Sequence, residues 1–311
     1  MRTASTLISP AQVRSIPLDR STRRGSWGAL AVTLSAVGFG FSPYLATRAF
    51  AAGVDPIAAS FLRILALFVV LLPCAPRLIA WRRESMLVFG AGAASMLGFA
   101  GYFVALDRAP VAAATVVYYT YPVVVLAVSA IVWKRPVRAA EVALALAILI
   151  GVVLSVGPSG ISVSVMVALA PAIAAPLGWA LYLVVLAGPA SAMPTAPKIL
   201  AGAAGGVAVL LPLTLVRQGL AIAPATTDAV VAVAILTVCT LAIPAVLVTW
   251  GAPRAGDRAT SMIGSFEFVV ALSVSWVLMG DPVGVGQFVG GVIVCGAALV
   301  AARLSRRDLV T

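Results

Sequence analysis

Glu267 and Arg63 are the residues of this sequence best placed to do chemistry, because each stands inside a long apolar run. A charge in hydrocarbon is expensive, so such a residue faces a bundle interior or a wet cavity. Glu267 reads as a counter-ion for a cation or ammonium group, or as a proton-coupling group. It reads equally as a structural hydrogen-bond hub. Arg63 offers a planar fork for a substrate carboxylate. A long side chain near a helix end also reaches the interface, and for Arg63 the structural or gating role is the favoured one.

Around these charges lie rings with polar handles: Tyr44, Tyr102, Tyr118, Tyr119, Tyr121, Trp179 and Tyr182, with Ser265 and Phe266 directly before Glu267. Tyr and Trp commonly mark membrane interfaces, and Trp27, Trp81, Trp133 and Trp276 fit that belt. Tyr118, Tyr119 and Tyr121 lie a third to half way into an apolar run, beside Pro122. Phenols at that depth need partners, and a substrate cavity supplies them. Tyr118 and Tyr121, three apart, are expected on one helix face, with Tyr119 pointing elsewhere.

The composition excludes other chemistries. No histidine is present, which removes imidazole acid–base catalysis, Ser-His nucleophiles and imidazole metal ligation. Cys74, Cys239 and Cys295 are scattered and have no metal-ligand spacing. The glycine repeats sit in apolar helices with no strand before them, so no phosphate loop is implied. The expectation is a chain without metal or cofactor and without catalytic residues. An intramembrane enzyme is the least favoured class.

These residues must be positioned by membrane helices. The chain has 311 residues, 62% hydrophobic and 10% charged, with mean hydropathy +1.11. Soluble domains carry roughly 25% charge, so the surplus apolar surface faces lipid. Apolar runs of about 20 residues are predicted at 27–50, 56–73, 85–106, 109–132, 139–157, 162–187, 198–216, 228–251, 258–279 and 283–302. Tight turns are expected at Asp107–Pro110 and Gly157–Ile161. Residues 1–26 carry five arginines and no apolar stretch, and are expected to be a disordered cytoplasmic tail. Residues 305–311 form a second tail.

With the N-terminus inside, 17 of the 21 Lys+Arg fall in inside segments, three in outside ones (Arg48, Arg108, Arg217), and Arg63 within a span. That is the bias expected of cytoplasmic loops. It explains the net charge of +11 without nucleic acid. Both lysines, Lys134 and Lys198, are placed at loops.

The sequence also resembles itself. A shift of 146 brings Arg108 onto Arg254, Val123-Val124 onto Val269-Val270, and Pro136-Val137 onto Pro282-Val283. A shift of 138 brings Gly40 onto Gly178 and Tyr44 onto Tyr182. Two five-helix halves, 27–157 and 158–304, are therefore expected. An odd helix number inverts the second half, and the substrate site is then expected near the midplane between them. Pro43, Pro122, Pro176 and Pro244 lie inside spans, where neighbours re-satisfy freed carbonyls. They are expected to act as hinges or kinks.

Several segments resemble the drug/metabolite transporter superfamily in its EamA-type ten-helix form. They are Asp55-Pro56 followed by Arg63, the run Tyr102–Ala105, "TVVYYTYPVVV" at 115–125, and "SFEFVVALSVSWVLMGDPVG" at 265–284. Phe268 and Arg135 depart from the family pattern, which has proline and an acidic residue there. The Tyr-Tyr-Thr-Tyr-Pro run is most similar to YddG-type amino-acid exporters. The resemblance implies a bacterial inner-membrane exporter of aromatic and other neutral amino acids, with both termini cytoplasmic. Its partners would be lipid and a small-molecule substrate, and a monomer suffices. A multidrug or other metabolite carrier is the nearest rival. A purely structural membrane protein is a more distant one.

Overall fold

A computed structural model of the chain describes residues 20–109, 111–134, 136–156, 163–219, 222–280 and 284–307. Every regular element among them is helical. Ten helices carry the fold: α1 (Gly25–Ala51), α2 (Pro56–Cys74), α3 (Arg82–Arg108), α4 (Ala113–Trp133), α5 (Ala139–Ser155), α6 (Ser164–Ala187), α7 (Thr195–Gln218), α8 (Thr227–Ala255), α9 (Asp257–Met279) and α10 (Val285–Leu304). All but α5 are long and apolar enough to cross a membrane. The tenth expected span is α5, whose rise of 1.5 Å per residue gives about 26 Å. The chain is an all-α, multi-pass membrane protein.

The boundaries correct the sequence reading in places. Arg20–Gly40 is one helix, so residues 20–26 are not a disordered tail. Asp107 and Arg108 end α3 rather than forming a turn. At the other end, helix continues to Arg307. Residues 1–19 and the turn at 157–161 lie outside the described residues. Lys198 belongs to the first turn of α7, 2% exposed, with Nζ 3.5 Å from the carbonyl of Ser191. The ammonium is folded back along the helix start, which periodicity cannot distinguish from a loop lysine.

Lipid-facing surface is plain from exposure. Val216, Ile131, Val70 and Val285 are among many large apolar side chains left open, as a membrane medium requires and water would penalise. Helix contacts are instead built from small residues, since lipid supplies no hydrophobic drive between helices. A methyl at Gly92 would strike the carbonyl of Gly202, and one at Gly205 that of Phe89, so α3 and α7 touch backbone to backbone. Gly178 meets the carbonyl of Ala94 in the same way, fixing α6 on α3.

The pairing of helices is regular. α3 lies along α6, and α8 along α1; α4 packs on α6, and α9 on α1; α2 pairs with α7 and α5 with α10.

Several helices are interrupted part-way along. α1 breaks at Phe41, between Gly40 and Ser42, with Pro43 next. α4 breaks at Tyr119–Thr120, just before Pro122. α8 widens to a π-turn at Val238–Ala242, ahead of Pro244. Proline supplies no N–H and opens the ladder four residues back. α6 contains a 3-10 turn at Ala170–Ile173, around Pro171. Pro176 lies within regular helix further along. α9 breaks at Ser265 although Phe268, and not a proline, follows. There Ser265 Oγ bonds back to the carbonyl of Ser261 at 3.2 Å, while the Phe268 N–H closes a short turn onto the Ser265 carbonyl at 3.0 Å. Such back-bonding bends helices.

Candidate functional site

The interruptions surround a cavity of about 90 Å³, bordered by α1, α2, α3, α4, α6, α7, α8 and α9. That is well below the roughly 300–1,000 Å³ of open small-molecule pockets, so the bundle is nearly closed around it in this structure. Most of its wall is aromatic or aliphatic.

Glu267 reaches the cavity from α9, two residues past the break at Ser265. It is 5% exposed. The phenols of Tyr118 and Tyr119 lie beside its carboxyl group, and Oε1 has no hydrogen-bond partner. Tyr118 packs 5.3 Å from Tyr102 and 5.6 Å from Phe99, centroid to centroid. On the far wall Trp179 stacks on Tyr182 at 5.8 Å and meets Phe39 edge-on at 5.6 Å. These rings form a continuous lining whose offset and T-shaped contacts are the favoured aromatic geometries.

Arg63 enters from α2 and is 8% exposed. Its Nη2 donates to the carbonyl of Thr240 at 3.0 Å and to Thr240 Oγ1 at 2.9 Å. The reason lies in α8: Pro244 brings no N–H, so the Thr240 carbonyl loses its α-helical donor. The guanidinium also lies 5.4 Å from the centroid of the Phe103 ring. No Asp or Glu pairs with Arg63 among the described residues. Its Nε–H is buried and unsatisfied, a condition that costs about 1–3 kcal/mol.

Unsatisfied buried polar atoms concentrate here. Among the described residues they are Arg63 Nε, Glu267 Oε1, Ser95 Oγ, Thr249 Oγ1, Asp257 Oδ2 and Thr260 Oγ1. The first three belong to cavity-lining residues. Native interiors leave few such groups, and each asks for an explanation.

The structure divides the sequence candidates. Tyr102, Tyr118, Tyr119, Trp179, Tyr182, Glu267, Arg63 and Pro43 line the cavity. Tyr44 and Phe266 are half-buried and do not, while Tyr121, Ser265, Pro122, Pro176 and Pro244 are buried behind the wall or along the helices. Tyr121 instead pairs with Ser265, hydroxyl to hydroxyl at 3.3 Å. Tyr118 and Tyr121 do pack together, ring centroids 5.2 Å apart, but Tyr119, expected to point elsewhere, lines the cavity beside Tyr118. The break at Tyr119–Thr120 ends the 100° advance per residue on which that expectation rested. Arg63 does not snorkel to an interface. Sequence reasoning missed Ser95, Phe99 and Phe39, which look like ordinary apolar-helix residues. It also missed Thr240, although a residue four before an intramembrane proline is a readable signal.

Residues 26–157 match the sequence profile of the EamA-like transporter family. No curated protein matches the chain. A solved structure described only as the crystal structure of a protein is 23% identical, with a TM-score of 0.71 over 90% of this chain and 98% of that one. That likeness establishes the fold, and the first half of this chain carries an EamA-like domain.

Proposed function

We propose that this protein is a transporter of small molecules, most specifically of amino acids, working by alternating access around the aromatic cavity. One observation carries the reading: three buried polar atoms without partners, one each on a carboxylate, a guanidinium and a hydroxyl, belong to residues of one pocket. Glu267 suits an α-ammonium group, and the ring wall suits an aromatic or aliphatic side chain. The family profile over the first half supports transport.

The helix pairing supports two inverted halves, 27–157 and 158–304. Exchanging each helix of the first half for its counterpart turns the α3–α6 contact into α8–α1, and α4–α6 into α9–α1, while α2–α7 and α5–α10 map onto themselves; the extensive α3–α7 contact departs from this symmetry, its counterpart α8–α2 being slight. The bias of basic residues supports cytoplasmic termini; a bacterial inner-membrane location and export are what the resemblance to EamA-type exporters implies. Energy would come from ion gradients or from the substrate's own gradient.

The test is flux of labelled phenylalanine, tryptophan and leucine in proteoliposomes of the purified chain. Amino-acid flux that falls in Glu267→Gln and Tyr118→Ala supports the assignment. Absence of flux for every amino acid rejects it. Flux of bulky organic cations alone, dependent on Glu267, moves the chain to the multidrug reading.

A further inference from the structure

We propose that Arg63 reads the substrate's carboxylate and that its engagement there is exchanged against its hold on Thr240, coupling substrate to the proline bend of α8. The inference rests on the amino-acid reading above and deepens it.

A guanidinium binds carboxylate best with two parallel N–H donors. The side-on pair consists of Nε–H and the neighbouring Nη2–H. In this structure Nε–H is buried without a partner, while Nη2 is shared between the carbonyl and the hydroxyl of Thr240. A side-on carboxylate therefore satisfies Nε and takes one Nη2 hydrogen from Thr240. Phe103 lies 5.4 Å from the guanidinium carbon, which holds the plane while its edge changes partner. Arg63 and Glu267 border the same cavity, and no ion pair joins them.

The Thr240 end of the exchange is built to respond. Thr240 lies in the π-turn Val238–Ala242, and Pro244 denies its carbonyl the usual donor. Thr240 Oγ1 donates to the carbonyl of Leu236 at 2.7 Å. Gly38 of α1 sits against both Cys239 and Pro244, where an added methyl would clash at 2.8 Å and 2.5 Å. A change in α8 at this point is passed to α1, whose own break at Phe41 is three residues on. π-turns of this kind recur at functional positions.

Calorimetric binding to the purified full-length chain tests this with three probes: L-phenylalanine, L-phenylalaninamide and 3-phenylpropionate. The wild type is expected to bind phenylalanine at least tenfold more tightly than its amide. Arg63→Gln should bring phenylalanine down to the amide's level and leave the amide unchanged. Thr240→Val, which removes the competing hydroxyl, should tighten phenylalanine severalfold without affecting the amide. Equal wild-type binding of acid and amide overturns the assignment, as does an Arg63→Gln variant that weakens both equally. If Arg63→Gln does not fold, the wild-type acid–amide ratio and Thr240→Val decide alone. Arg63-dependent binding of 3-phenylpropionate, with no binding of phenylalanine or its amide, rejects the amino-acid reading but keeps the carboxylate site. Binding of none of the three rejects both.

Discussion

Arg258 Nη1 and Glu141 Oε2 lie 2.7 Å apart, joining the start of α9 to the start of α5. The same guanidinium also donates to the carbonyl of Pro136 at 3.0 Å and to Ser129 Oγ at 3.2 Å. One side chain from the second half thus ties the end of α4, the following loop and α5. A second pair, Arg217 to Asp55 at 3.0 Å, joins the end of α7 to the cap of α2. On the proposed topology the two pairs lie at opposite membrane faces, and each joins one of the first five helices to one of the last five.

If the protein works by the proposed alternating access, these pairs are expected to act as latches. In a chain with Cys74, Cys239 and Cys295 replaced, Ala203→Cys reports the cavity near the start of α7, and Ser42→Cys reports it beside the α1 break. Glu141→Gln should speed maleimide labelling of Ala203→Cys severalfold. Arg217→Gln should do so for Ser42→Cys. Both pairs are partly exposed, so each substitution alone should cost about 1 kcal/mol of stability or less. Unchanged labelling in both backgrounds denies the latch role.

Glycine substitutions separate packing from mere helix propensity. Gly205→Ala places a methyl against the Phe89 carbonyl of α3. The backbone cannot yield as a side-chain tip can, so a loss of about 1–3 kcal/mol is expected. Gly90→Ala meets nothing within 4 Å, and should be neutral or gain up to about 1 kcal/mol. Thermal unfolding in one detergent checks the contrast, and a similar loss for both variants would refute backbone contact at Gly205.

Much of this architecture was legible in the sequence because hydrocarbon imposes a simple rule. Runs of about 20 apolar residues must be helices with internally satisfied backbones, and Glu267 and Arg63 stood out against them. What sequence could not supply was depth and direction inside the bundle. Tyr44 and Tyr182 occupy matching positions under the 138-residue shift, yet Tyr182 lines the cavity and Tyr44 does not. Tyr119 turned inward because a helix broke beside it. The partner of Arg63, Thr240, lies 177 residues away in the chain, and such pairs leave no local pattern.

Orientation can be tested independently of any substrate. In the same cysteine-free chain, cysteines at Arg82 and Lys134 should be labelled from the cytoplasmic side by an impermeant reagent in oriented vesicles. Cysteines at Arg108 and Arg217 should be labelled only from the other side. Lys134 is exposed at the end of α4, with φ of 51°, and Arg82 is exposed at the start of α3. Labelling of Arg108→Cys and Arg82→Cys from one side would break the alternation.

Glu267→Gln offers the sharpest separation of function from stability. The carboxyl group is buried, and its Oε1 accepts no hydrogen bond. A neutral amide of the same shape cannot take on the charge that a low-dielectric interior penalises. It also keeps an acceptor beside Tyr118 and Tyr119. A residue kept for fold stability would lose melting temperature on this change. A residue kept for a ligand would hold or gain it, at the cost of function. The expectation is an unchanged or raised melting temperature, together with at least tenfold weaker binding of ammonium-bearing probes. A variant that melts several degrees lower but binds normally would make Glu267 a structural hub.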